Sequence, residues 1–102
     1  MSWADNYVRK LLDGEKMQFR PRGNSMAPFI ESGELVTVVP ATNGMIKIGD
    51  IVLCRVKGNQ YLHLVKAIDE TKERYQVGNN RGGINGWAQG GNIYGRVTKV
   101  EA

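Results

Sequence analysis

The sequence predicts a mainly β domain with one short helix at its N-terminus, and three observations carry that reading. Apolar residues recur at helical spacing only in the first dozen positions, while from Lys16 onward short β-rich runs alternate with glycine and asparagine. No regular alternation of helices with strands follows, which argues against an α/β fold and for a compact coiled antiparallel sheet or a partly open barrel of about six strands. At 102 residues the chain reads as one domain, residues 1–102, with the helix in 1–14 and the β-rich core in 16–100. A domain of that size buries roughly two thirds of its unfolded surface, enough for one small core and a shallow site.

The elements follow in chain order. Trp3, Tyr7, Val8, Leu11 and Leu12 form an amphipathic stripe, with Ser2 as N-cap, Asp5 at the third helical position and Gly14 as the stop. That stripe either docks on the domain or meets a partner or membrane surface, although Asp5, Asp13 and Glu15 fit an anionic membrane poorly. Strands are expected near 16–22, 34–39, 50–56, 60–67, 73–78 and 92–100, with Lys57-Gly58-Asn59 as a hairpin turn. Gly49-Asp50 reads as a turn in which the Asp50 carboxylate bonds nearby backbone. The Gly- and Asn-rich stretch from Gly78 to Asn92, with Arg81, Trp87 and Gln89, reads as a loop that folds over a site, or in which Trp87 closes one end of the core. Cys54 alternates onto a strand face and is expected to be packed rather than reactive.

Composition narrows the chemistry. A net charge of +4 is spread along the chain, so specific nucleic-acid binding is not expected, although Arg20 and Arg22 flank Pro21 and Arg9-Lys10 lie on the helix. One cysteine and one histidine cannot make a zinc site, and no phosphate-binding glycine loop follows a strand, so no metal or cofactor is expected. A single cysteine, no signal-like leader and no apolar run approaching a membrane span point to a soluble, cytoplasmic protein with no transmembrane segment.

Chemistry is concentrated in Gly23-Asn24-Ser25-Met26-Ala27-Pro28 and, 38 residues later, in His63, the only histidine. Glycine lets the backbone bend and Pro28 fixes φ just beyond the serine, so the segment presents a hydroxyl on a rigid turn. A serine hydroxyl needs a neighbouring base, and a histidine with an ordinary pKa near 6.5 supplies one at neutral pH without heavy desolvation. Lys66 is the competing base. It lies an odd number of residues from His63 on an extended strand, so the two side chains are expected on opposite faces.

The ordered blocks Gly23-x-Ser25-Met26-x-Pro28, Ser32-Gly33-Glu34-Leu35-Val36-Thr37-Val38, Ile48-Gly49-Asp50-Ile51-Val52, Leu62-His63-Leu64-Val65, Val77-Gly78-Asn79-Asn80 and Ile93-Tyr94-Gly95-Arg96-Val97 resemble the signal-peptidase and SOS-repressor clan of serine peptidases over residues 19–98. The resemblance implies Ser25 as nucleophile and a base on the strand after the Gly-Asp-Ile-Val block, with His63 matching the histidine-type members. Those members carry an aspartate in a Gly-Asp-Asn segment, where this chain reads Gly78-Asn79-Asn80, so Asn79 or Asn80 is expected to orient the imidazole through its carbonyl. Where several signal peptidases supply a hydroxyl two residues before the nucleophile, this chain has Gly23. Backbone N–H groups of Ser25 and Met26 are then expected to hold the oxyanion, with Pro28 lining a substrate groove and Met26 either forming its apolar wall or filling the core.

The resulting expectation is a small serine endopeptidase that takes an extended protein or peptide substrate as an added strand. Cleavage in trans is expected, since 24 residues before Ser25 leave no room for a DNA-binding module. The alternatives are a peptidase-fold module that binds peptides or forms a homodimer without catalysis, and a basic nucleic-acid-binding β-domain.

Overall fold

Helix α1 spans Asp5–Leu12 and docks through Ala4, Val8 and Leu11, the i, i+4, i+7 face of a single helical stripe. The computed structural model describes residues 3–41 and 45–102, so the N-cap expected at Ser2 lies outside the described residues. Ala4 occupies the N-cap position; its methyl accepts no hydrogen bond, and Asp5 in the first turn supplies the negative charge that suits a helix start. The stop at Gly14 is a Schellman cap: Gly14 N–H donates to Leu11 O (3.0 Å) and Glu15 N–H to Lys10 O (3.0 Å), with Gly14 at φ +84°. Trp3 and Leu12, expected within the stripe, remain exposed. Gly95 makes the docking possible, because a Cβ there would lie 2.7 Å from Val38 Cγ1 and 3.0 Å from Leu11 Cδ1.

Seven antiparallel strands form one unclosed sheet: β1 Met17–Phe19, β2 Leu35–Pro40, β3 Ile51–Val56, β4 Asn59–Asp69, β5 Arg74–Gly78, β6 Ile84–Gln89 and β7 Ile93–Glu101. Their order is β1-β2-β7-β3-β4-β5-β6, so β3 to β6 run as a meander and β7 returns to fill the place between β2 and β3. Strand β1 is shorter than the 16–22 expected because Arg20-Pro21 follows, and proline lacks the N–H that would extend the ladder. The β3–β4 turn is tighter than expected: Lys57 (φ +50°) and Gly58 (φ +82°) make a two-residue connection of type I′ hand, and Asn59 already pairs with Val56.

Strand β6 corrects part of the reading of residues 78–92 as a loop. Ile84–Gln89 pairs with β5, but Gly78 faces Ile84 and Val77 faces Gly86, so Asn85 is an extra residue in a bulge. That interruption, together with an Asn-Gly pair of low strand propensity, removes the period-2 signal. The 3-10 turn Gly90–Asn92 then directs the chain into β7.

Both faces of the sheet are covered. On β3, Leu53 faces a cluster with Val8, Leu11, Phe19, Met26, Val36 and Val38, while Val52, Cys54 and Val56 face a second cluster with Val65, Val77, Ala88 and Ile93. The second cluster forms because the sheet coils until β6 reaches β3: a Cβ on Gly86 would sit 3.1 Å from Val56 Cγ1. Among the described residues no helix is long and apolar enough to cross a membrane.

Candidate active site

Ser25 lies in the long connection from β1 to β2. Gly23, at φ +112°, turns the chain into this segment, and its N–H donates to Ser32 Oγ (3.1 Å). Gly33 N–H to Pro21 O (2.9 Å) and Arg20 Nη1 to Gly33 O (2.9 Å) close the base of the loop. Met26 and Ile30, one helical turn apart and joined by Ile30 N–H to Met26 O (3.1 Å), bury their side chains in the first cluster and pin the loop from below.

A second loop clamps the turn from the side. Asn80 N–H donates to Ser25 O (2.8 Å), Asn80 Nδ2 to Ala27 O (2.9 Å) and Arg81 Nε to Asn24 O (3.2 Å). Three carbonyls around the serine are thereby satisfied from residues more than 50 positions away in chain order, as the loop after β5 folds back. Asn79 braces this loop: its Oδ1 accepts from the N–H groups of Arg81 (2.8 Å) and Gly83 (2.9 Å). Among the described residues no acceptor within the chain engages the N–H of Ser25 or of Met26.

His63 stands on β4 with only 9% of its surface exposed, beside Tyr61 and Val65 on the second-cluster side. The pairing of β4 with β5 begins at Leu64, so from Tyr61 to His63 the only strand neighbour is β3. The Ser25 loop wraps this open rim, and Ser25 Oγ lies 3.1 Å from His63 Nε2. On the other side of the ring, Nδ1–H donates to Asn85 Oδ1 at 2.6 Å. A carbonyl oxygen only accepts, so this bond assigns the proton to Nδ1 and leaves the Nε2 lone pair facing the hydroxyl. Tyr61 stacks on the imidazole, with centroids 5.2 Å apart and planes 22° from parallel, and so holds its tilt.

Burial lowers the proton affinity of His63 below its ordinary 6.5; the Asn85 hydrogen bond opposes that shift and the charge of Lys66 adds to it. The imidazole is therefore neutral at neutral pH, the form a general base requires. Lys66 reaches this site as charge: it is the extra residue where β4–β5 pairing steps from Val65↔Val77 to Ala67↔Gln76. Simple odd-even alternation does not apply across that bulge, and the 3.1 Å contact, not strand parity, singles out His63 as the serine's neighbour.

Several expected roles fall elsewhere. Neither Asn79 nor Asn80 touches the imidazole, because both amides are committed to backbone in the clamp; Asn85 takes the ring instead, aimed inward by its bulge and by Gly86 at φ +137°. The sequence signal for it was an Asn-Gly pair inside an otherwise apolar run, Ile84 to Ala88, which marks a bulge. Met26 lines the cleft in front of Ser25, whereas Pro28 is exposed and outside it. Asp50 forms the expected turn, its Oδ2 accepting from Lys47 N–H (2.8 Å). Trp87 neither covers the site nor closes the core alone: it lies half-buried on β6 with the Arg74 guanidinium 4.5 Å over its ring. Cys54 is fully buried, and burial pushes its thiol up to about 12, which leaves it inert as a nucleophile. No group of three or more metal-ligating side chains occurs among the described residues.

Compared with models of known protein families and with curated proteins, the chain matches none.

Proposed function

We propose that this protein is a serine endopeptidase with a Ser25–His63 dyad, of the histidine-type kind that the ordered sequence blocks resemble. The observation that carries the proposal is the line Ser25 Oγ, His63 Nε2, His63 Nδ1, Asn85 Oδ1, with distances of 3.1 and 2.6 Å at its two hydrogen bonds. His63 Nε2 takes the serine proton as Oγ attacks the peptide carbonyl, and the N–H groups of Ser25 and Met26 donate to the oxyanion. The imidazolium then protonates the leaving amine, and water, activated by the same nitrogen, releases the acyl group. The open rim of β4 from Tyr61 to His63 suits a substrate that adds as a strand, with main-chain hydrogen bonds supplying register. The lone buried thiol fits a reducing, cytoplasmic setting.

One observation favours a second reading, a peptide-binding or dimerising module. Asn85 is neutral, so it orients the imidazole without stabilising its charged form. A fluorophosphonate probe separates the two. Labelling of the wild-type protein that is lost in Ser25→Ala and strongly reduced in His63→Ala supports the hydrolase; absence of labelling from about pH 6 to 9, a range that spans the ordinary histidine titration, overturns it and favours the module.

A further inference from the structure

The cleft in front of Ser25 and His63 has a volume of about 490 Å³, and its far wall has a composition that hydrolysis alone does not need. Tyr7 and Phe19 stack there with centroids 4.4 Å apart and planes 14° from parallel. Trp3 lies against both, at 6.3 and 5.9 Å, and keeps 53% of its surface exposed. Burying a tryptophan edge is favourable, and aromatic rings add an edge or stacking preference of about 0.5–1.5 kcal/mol per pair beyond area. A ring left half open beside a stacked pair is thus a ready seat for one more ring.

Charge sets a second preference. Arg20 and Arg22 line the same cleft on the chain leading to the nucleophile, and none of the described residues that line it is an aspartate or glutamate. Arg20 uses Nη1 on Gly33 O, which leaves the rest of its fork, and Arg22 is exposed. Unopposed guanidinium groups along a low-dielectric wall focus a positive potential and offer paired donors to a carboxylate.

We propose that the cleft selects extended peptides that carry an aromatic side chain near an acidic one, the aromatic ring seated on Trp3, Tyr7 and Phe19 and the carboxylate facing Arg20 and Arg22. The proposal rests on the reading of the cleft as a peptide-cleaving site. Small side chains would leave the aromatic wall wet, and lysine or arginine in the peptide would meet like charge. In an extended peptide neighbouring side chains point to opposite sides, so residues one or three apart reach opposite walls and residues two apart share one.

The test uses the full chain with Ser25→Ala and fluorescein-labelled decapeptides, read by anisotropy, beside cleavage of the same peptides by the wild-type protein. Peptides with an aromatic-acidic pair are expected to bind best. Replacing the aromatic residue by alanine, or the acidic one by lysine, is expected to weaken binding about tenfold each, the scale of one well-placed ring or charge contact. Trp3→Ala should erase the aromatic preference, and Arg22→Glu should reverse the charge preference so that the lysine peptide binds better. Both side chains are exposed, so the variants are expected to fold; a circular dichroism spectrum and melting curve matching wild type establish that before binding is read. Selective binding without cleavage supports the cleft's preference and overturns the hydrolase reading. Cleavage that is indifferent to both residues overturns the preference and leaves the hydrolase standing. Neither binding nor cleavage overturns both.

Discussion

Asn85 presents a carbonyl to the imidazole of His63 at the place where a carboxylate would stabilise positive charge, and the tautomer and the charge are separable contributions. The neutral amide supplies the first: it keeps the proton on Nδ1. Asn85→Asp supplies both, so the variant is expected to raise the His63 pKa and to speed fluorophosphonate labelling by about tenfold, since a carboxylate at this position stabilises the imidazolium that forms as the serine loses its proton. Imidazole resonances followed by NMR through the titration check the first effect, and labelling rates check the second. A raised pKa with an unchanged rate would remove charge stabilisation as the limiting factor. In the wild-type protein the labelling rate is expected to climb as pH rises through a value below 6.5, because burial depresses the group that must be neutral.

At the scale of elements, the site depends on two loops and one bulge meeting at the rim of β4. Asn80 provides the strongest link, donating to Ser25 O and Ala27 O together. Asn80→Ala removes the side-chain donor and leaves the Ala27 carbonyl without it, an expected loss of about 1–3 kcal/mol in denaturant unfolding, with slower labelling of Ser25 because the turn loosens. The bulge is tested by Gly86→Ala. A Cβ would be held at φ +137° and 3.1 Å from Val56 Cγ1, so the variant is expected to lose about 1–3 kcal/mol and to release Asn85 from His63, seen as a shifted imidazole resonance. The helix-to-cap pattern of α1 and the strands β2, β3, β5 and β7 were legible to within a residue or two, because each shows a plain period or a glycine stop. Strand β6 was not, since a bulge breaks alternation at the residue whose aim matters.

For the molecule as a whole, stability rests on a coiled sheet with apolar clusters on both faces, and Leu53 is its largest fully buried side chain. Leu53→Ala is expected to cost about 2–5 kcal/mol by chemical denaturation, with loss of the helix signal in the same transition, because α1 docks on that cluster. Proton linkage adds a pH dependence. The folded His63 binds its proton less readily than the unfolded one, so its contribution is intact above 6.5 and is lost as pH falls from there through the depressed folded value. His63→Gln should flatten that part of the stability curve. What the sequence determined by itself was the β class, the N-terminal helix and the choice of Ser25 and His63 as a candidate pair, because periodicity, turn residues and a lone histidine are local or compositional signals. Only the tertiary structure decided which asparagine holds the imidazole, which loop clamps the serine and what lines the cleft. Those choices depend on where a coiled sheet brings distant edges together, and side chains such as Asn79, Asn80 and Asn85 are chemically alike until their backbones are placed.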